Sequence, residues 1–469
     1  HVVFILITSQ ETLAPRMAGL KVSHDRGWAW IVLVAGCVVM GIILCIPYVY
    51  SILFRNLLSS FGSSSTSVSW IFSTFTFCFN ISVILCAPIS TFWGYRIPGV
   101  VTCLVVSIGM FSSAFSDSQF HLIFTFGILS GIGSGISATL AYLVIASYFR
   151  EYRGLAIGLS LASASVARII SPFFINYLID QYGDRGAQMI FSAVILNSCA
   201  AFMTFRPPPF PPQRSDNPMQ DLKDCPDKNS ENLGRSDLAA TRPDVKSVAG
   251  MLSVVCRSID IGLLKNPMFV LMLLIDCCGW LVLYNTPMLI PYYVDSIGLQ
   301  GKGVLILSLI PIFDLMSRII SPSLTDTKYF STSKGFLLAG TLTSLGITGL
   351  ILARGTAGVV SAACVYGFGV GAVTTLFGLL LINFFGIDRL PSALGIIAIC
   401  KAIFTLIAGT LIGFLRDVMG TYLGSLAFLN ACSVTIVILF CFEPLANKYN
   451  KYLVHQHSSL PTTEEDAAV

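Results

Sequence analysis

Twelve apolar stretches, each long enough to cross a lipid bilayer, divide the chain into two sets of six. A membrane-spanning helix needs about 20 mostly apolar residues. The stretches are 28–54, 68–92, 98–117, 120–147, 154–178, 187–205, 267–292, 303–323, 333–353, 357–385, 391–415 and 421–442. Only 11% of the residues are charged, whereas a soluble domain carries about 25%. This composition excludes a soluble enzyme, a nucleic-acid-binding protein and a secreted disulfide scaffold, so lipid is the solvent for most of the chain.

A polar segment separates the two sets of spans. It begins with Arg-Pro-Pro-Pro-Phe-Pro-Pro, and its nine Lys and Arg residues nearly balance eight Asp and Glu residues, as in a solvated linker. The predicted parts are an N-terminal tail at 1–27, a six-helix bundle at 28–205, a linker at 206–266, a second six-helix bundle at 267–442 and a C-terminal tail at 443–469.

The distribution of lysine and arginine predicts the orientation in the membrane. With both termini on one side, the tails and loops of that side hold eleven of these residues and the linker nine, against five in the opposite loops. Because cytoplasmic loops carry the excess of positive charge, both termini and the linker are expected in the cytoplasm, with the plasma membrane as the location. The chain opens with His1, and Met17 is expected as the natural start.

The two halves share a repeated pattern. Gly158 and the sequence Asp180-Gln-Tyr-Gly183 recur as Gly395 and Asp417-Val-Met-Gly420, each displaced by 237 positions. Two parallel six-helix repeats joined by a linker resemble the organisation of major facilitator transporters. The predicted fold is therefore an all-α membrane protein with 12 transmembrane helices in two six-helix pseudo-repeats and a substrate site between the halves.

Five ionisable residues lie within the spans, where a charge is costly unless it faces a cavity or a partner. They are Arg168, Asp276, Asp314, Arg318 and Lys401. Three positive and two negative charges leave one excess positive charge, which favours a small organic monoanion. Arg318 has the fork-shaped group that suits a carboxylate. All five are candidates for substrate binding or coupling.

The spacing of the acidic residues leaves alternatives open. Asp314 and Arg318 are four apart on one helix face and can pair. The pair either only stabilises span 8, or switches, with Arg318 holding the anion while Asp314 takes up a proton. Asp276 is either a second acid or a salt-bridge partner of Lys401 or Arg168.

Two further motifs resemble the monocarboxylate transporter family. Asp-Arg-Gly-Trp-Ala-Trp precedes the first span, and Tyr-Phe-Arg-Glu-Tyr-Arg-Gly-Leu-Ala-Ile-Gly leads into the fifth. The residues that carry the match, and that we predict as a conformational motif, are Asp25, Trp28, Trp30, Arg153 and Gly158. The resemblance implies a secondary transporter of small monocarboxylates or related organic solutes that works by alternating access. It also implies proton coupling through Asp314 and Arg318, and a single-span immunoglobulin-like glycoprotein as partner.

Two positions depart from the family pattern. Tyr48 follows Pro47 where proton-coupled lactate carriers have a lysine, and Val370 stands where they have a bulky aromatic residue. The pocket is therefore expected to be wider, with Lys401 as a replacement cation. These departures leave two alternatives: an uncoupled facilitator of neutral, zwitterionic or larger aromatic solutes, and a non-transporting metabolite sensor. No cofactor, metal, nucleic-acid partner or enzymatic activity is expected.

Overall fold

The structure is a computed structural model that describes residues 27–60, 62, 64–149, 152–205, 261–325, 331–385 and 390–444. The predicted tails, nearly all of the predicted linker and Asp25 lie outside these residues. In the described part every regular element is a helix. This follows from the apolar spans, because only helices and closed barrels satisfy their backbone hydrogen bonds in lipid.

The first half consists of seven α-helices and one π-helical segment. They are α1 (Trp28–Leu53), α2 (Arg55–Ser60), α3 (Ser65–Trp93), α4 (Arg96–Ser113), α5 (Gln119–Leu122), a π-helix (Ile123–Ser130), α6 (Gly131–Tyr148) and α7 (Arg153–Met203). The second half follows a short 3₁₀ helix at Ile261–Lys265. Its helices are α8 (Pro267–Ser296), α9 (Gly303–Thr325), α10 (Thr332–Leu352), α11 (Thr356–Phe385), α12 (Leu390–Met419) and α13 (Tyr422–Cys441).

The described helices provide twelve spans. Eleven continuous helical segments are long and apolar enough to cross a membrane. One of them, α7, contains Gly183 with φ 71° and ψ 176°, a conformation that breaks a helix and that glycine tolerates. The two arms of α7 correspond to the predicted spans at 154–178 and 187–205. The predicted fold of twelve helices in two sets of six is confirmed.

Each half has its own apolar core. In the first half the rings of Tyr50, Phe54, Phe75 and Phe126 form one cluster, with Phe75 and Phe126 stacked at a centroid distance of 4.9 Å. The core of the second half includes Phe336, whose ring lies 4.7 Å from that of Phe440. The two cores are largely separate.

Glycines bring α11 against α9, the helix that carries Asp314. A Cβ at Gly367 would collide with the Ile310 carbonyl, and one at Gly371 would collide with Ser317 and with Asp314. Small residues allow helices to approach closely in lipid. These two glycines therefore set the position of Asp314 relative to α11.

Polar contacts join the two halves at one end of the bundle. We call the side where α7 ends and α8 begins the linker side, and the opposite side the far side. On the far side Asp417 of α12 accepts hydrogen bonds from the backbone N–H groups of Ser65 and Thr66 at 2.9 and 2.8 Å. Arg55 and Asp295 form an ion pair between the halves on the same side. The structure is therefore closed on the far side.

We expect Asp417→Ala to destabilise the protein by about 0.5–2 kcal/mol, the usual cost of losing a helix cap. The carboxylate satisfies two of the free N–H groups at the start of α3 and interacts with its dipole. Thermal unfolding of the detergent-purified protein measures the change. The matched control is Asp180→Ala at the equivalent repeat position, where, among the described residues, the carboxylate accepts a hydrogen bond from Asn176 of its own helix and caps no other helix. Equal shifts in the two variants would contradict this role.

Candidate functional site

A small cavity lies between the two halves at mid-depth of the spans. The first half contributes Tyr48 and Arg168 to its wall. The second half contributes Leu283, Pro287, Ile310, Pro311, Asp314, Tyr366 and Val370. The structure thus brings four of the predicted site residues, Tyr48, Arg168, Asp314 and Val370, into one wall.

Asp314 accepts hydrogen bonds from both halves. The Nε of Arg318 donates to both of its oxygens at 3.1 and 3.0 Å, and the Nη2 lies 3.0 Å from Oδ1. The hydroxyl of Ser165 on α7 donates to Oδ2 at 2.9 Å. The pair that the four-residue spacing predicts is therefore present, and Ser165 ties it to the other half.

Arg168 has no acidic partner of its own. Its Nε donates to the carbonyl of Ala164 at 3.2 Å. Among the residues that the structure describes, no carboxylate lies within 4.0 Å of its guanidinium group. Arg168, Arg318 and Asp314 together carry one excess positive charge, and that charge belongs to Arg168.

The sequence predicts that Arg318 binds the anion, but the positions of the two arginines argue against it. Arg318 is not part of the cavity wall, and its guanidinium is occupied by Asp314. Arg168 lines the cavity without such a partner. A carboxylate entering the cavity would meet Arg168 first.

Two prolines shape the wall of the cavity. Proline has no N–H, so the carbonyl four residues earlier loses its helical partner. Pro311 frees the carbonyl of Leu307, which instead accepts the hydroxyl of Tyr48 from the other half at 2.7 Å. Pro287 frees the carbonyl of Leu283 in the same way. Sequence analysis had no signal for this use of Tyr48, because the acceptor is a backbone atom of a distant span.

Sequence reasoning missed Tyr366 and Ser165. Tyr366 lines the cavity and donates from its hydroxyl to the carbonyl of Val282 at 2.9 Å. Neutral residues such as these are common in apolar spans. The one available hint was that Ser165 lies almost one turn before Arg168.

Lys401 and Asp276 form a separate pair in the second half. Lys401 Nζ lies 2.5 Å from Asp276 Oδ2 and 4.3 Å from the ring centroid of Trp280. Of the two partners predicted for Asp276, the structure selects Lys401. Neither residue lines the cavity, so this pair, with zero net charge, lies outside the anion cluster.

The predicted conformational motif lies at the linker-side ends of the helices. Trp28 donates from its indole to the carbonyl of Thr204 at 3.2 Å, and Trp30 packs edge-on against Phe149 at 5.6 Å. Arg153 is the first residue of α7. A Cβ at Gly158 would meet no described atom within 4 Å. The two tryptophans thus fix the start of α1 to the ends of its neighbours.

The family model of the Major Facilitator Superfamily matches residues 31–409 of this sequence. Among similar proteins, mouse monocarboxylate transporter 2 is 24% identical over 88% of this chain and 83% of its own length. Human monocarboxylate transporter 6 is 25% identical over 85% of this chain and 76% of its own length. Bovine monocarboxylate transporter 13 is 26% identical over 90% of this chain and 93% of its own length.

A solved structure supports the same fold. The crystal structure of the nucleoside transporter NupG matches with a TM-score of 0.66 and 10% identity, over 89% of this chain and 100% of that one. At that identity the likeness concerns the fold alone. The chain belongs to the major facilitator superfamily, and its sequence similarity within that superfamily is to the monocarboxylate transporters.

Proposed function

We propose that this protein moves small organic monoanions, above all carboxylates, across the membrane, and that Arg168 binds the anion. One observation carries the proposal: a guanidinium group without a carboxylate partner among the described residues lines a cavity between the two halves. Arginine binds carboxylates through two parallel hydrogen bonds. The excess charge of the cluster is satisfied when one monoanion occupies the cavity.

The lining of the cavity favours a short acid. Leu283, Pro287, Ile310, Pro311 and Val370 give the cavity apolar walls. Such walls suit a short alkyl tail and do not suit a second carboxylate, so monoanions are favoured over dianions.

Alternating access between the halves is the mode of transport we infer. The excess of lysine and arginine favours a cytoplasmic linker side. The far side, closed by Asp417 and by the Arg55–Asp295 pair, then faces the exterior of the cell. A structure closed towards the exterior is one of the two end states that alternation needs.

Two details of the function stay predictions. The first is that Asp314 binds a proton. Its four contacts with donors on Arg318 and Ser165 argue for a different acid, because a proton on Asp314 would displace one of these donors. The other is the immunoglobulin-like glycoprotein as partner in the plasma membrane.

Uptake into liposomes containing the purified protein tests the proposal. We expect lactate and pyruvate to enter at least about tenfold faster than lactamide, because the neutral amide gains no ion pair with Arg168. Lactamide is the matched control, since it has nearly the shape of lactate without its charge. Equal rates would instead favour the neutral-solute facilitator, and binding without uptake would favour the sensor.

A further inference from the structure

A buried ion pair lies apart from the anion cavity. The side chains of Lys401 and Asp276 are 1% and 15% exposed, and their charged atoms are 2.5 Å apart. The indole ring of Trp280 lies over the ammonium group at 4.3 Å. Replacing a buried ion pair by apolar residues often leaves a protein as stable or more stable, and ionisable residues in a membrane usually have a function. Packing alone therefore does not account for this pair.

The ion pair and the anion cavity share one face of α8. Asp276, Trp280, Leu283 and Pro287 are spaced by four, three and four residues, which places them on the same side of a helix. Leu283 and Pro287 line the cavity. At a rise of 1.5 Å per residue, Asp276 lies about 10 Å from Leu283 along the axis, towards the linker side.

Aromatic rings fill the space between the two sites. Trp280 packs against Tyr284 at a centroid distance of 4.5 Å and against Phe79 of the other half at 6.3 Å. A change in charge at Asp276 alters the ion pair of Lys401, whose ammonium group lies under a ring that contacts both halves. Trp280 therefore connects the ion pair to the contact between the two halves.

The surroundings of the ion pair contain few groups that titrate. Its titratable neighbours are thiols: Cys277 and Cys278 on α8, Cys400 on α12, and Cys432 on α13 beside Cys278. Within the described part of α1, α3, α9, α11 and α13, neither member has a second ion-pair partner within 4.0 Å. On α9, Asp314 and Arg318 are paired with each other. One proton therefore changes the net charge of this pair from zero to plus one.

We propose that Asp276, paired with Lys401, binds the proton whose gradient drives anion transport. The inference rests on the proposed anion transport. A proton from water binds the carboxylate of Asp276 to form the carboxylic acid, Lys401 stays an ammonium group, and the proton returns to water on the other side. With one anion at Arg168 and one proton at Asp276, the loaded carrier has the same net charge as the empty one.

Asp276 suits this role better than Asp314 does. The Asp276 side chain is 15% exposed against 3% for that of Asp314. Asp314 contacts donors on Arg318 and Ser165, whereas Asp276 has one ion-pair partner. Adding a proton to Asp276 therefore breaks fewer interactions.

Tryptophan fluorescence tests proton binding without any solute. The chain has five tryptophans, and Trp280 is the one over Lys401. We expect one step in emission in the pH titration of the wild type and none in that of Asp276→Asn or Trp280→Phe. The control Asp117→Asn, at a carboxylate that is 89% exposed, retains the step. A step that persists in Asp276→Asn, or no step in the wild type, overturns the proposal.

Lactate transport in liposomes tests the coupling. We expect the wild type to accumulate lactate by about tenfold per unit of pH gradient, since one proton accompanies one anion. Asp276→Asn should still exchange internal for external lactate but accumulate none. If that variant folds poorly because Lys401 loses its partner, Asp276→Asn with Lys401→Met removes both charges. Tenfold accumulation by either variant overturns the proposal.

The two experiments separate this proposal from the anion-transport proposal. If the wild type neither accumulates nor exchanges lactate, anion transport fails, whereas the fluorescence step still decides whether Asp276 binds a proton. If the wild type exchanges lactate but a pH gradient never drives accumulation, the coupling role of Asp276 fails and anion transport stands.

Discussion

We expect Arg168→Gln to lower the initial rate of lactate uptake by at least about 30-fold. Truncating one member of a buried, hydrogen-bonded charge pair costs about 2–5 kcal/mol, which corresponds to about 30-fold to several thousandfold in affinity. Without Arg168 the remaining charges, Asp314 and Arg318, are paired with each other. The net charge of the site then falls from plus one to zero, and the cavity no longer attracts an anion.

The control for this variant lies on the same helix. Arg185 is 64% exposed and 3.8 Å from Asp117, far from the cavity. Arg185→Gln removes the same charge and should leave uptake within about twofold of the wild type, since an exposed ion pair contributes little. The amount of protein in the liposomes is measured for both variants. Uptake by Arg168→Gln close to the wild-type rate would remove Arg168 from the binding site.

The fold could be predicted from the sequence because the lipid bilayer allows few kinds of spanning structure. Long apolar stretches with few charges have to be helices, and their number and grouping identify the architecture. Local departures from regular α-helix could not be predicted. The π-helix at Ile123–Ser130 lies in a stretch that is apolar on all sides, so no periodicity marks it.

The candidate site could be predicted only in part. Charged residues are conspicuous in an apolar sequence, so Arg168, Asp314 and Lys401 were found directly. Their partners were harder to assign, because pairing depends on the rotation of each helix. The spacing of Arg318 from Asp314 indicated a pair, but it gave no sign that this pair leaves Arg168 without one. Neutral wall residues such as Tyr366 have no signature in such spans.

Gly409→Val is expected to lower the rate of lactate uptake by about 5- to 150-fold. A Cβ at Gly409 of α12 would collide with the hydroxyl of Ser73 on α3 and come within 3.7 Å of Asn285 Oδ1. Overpacking costs about 1–3 kcal/mol, and that energy shifts an equilibrium between two conformations by about 5- to 150-fold. The valine penalises only the state closed on the far side. Each transport cycle passes through that state, so the cycle slows.

Two measurements separate this effect from misfolding. A maleimide that does not cross the membrane should label Ser69→Cys faster when Gly409→Val is also present, because Ser69 is 2% exposed in the closed state. The matched control is Gly355→Val, where a Cβ would meet no described atom within 4 Å, and it should transport and label as the parent does. Slower transport with unchanged labelling would mean that valine acts elsewhere. Faster labelling with unchanged transport would mean that closing the far side does not limit the cycle. Slow transport together with fast labelling is the pair of results that a gate between α3 and α12 requires.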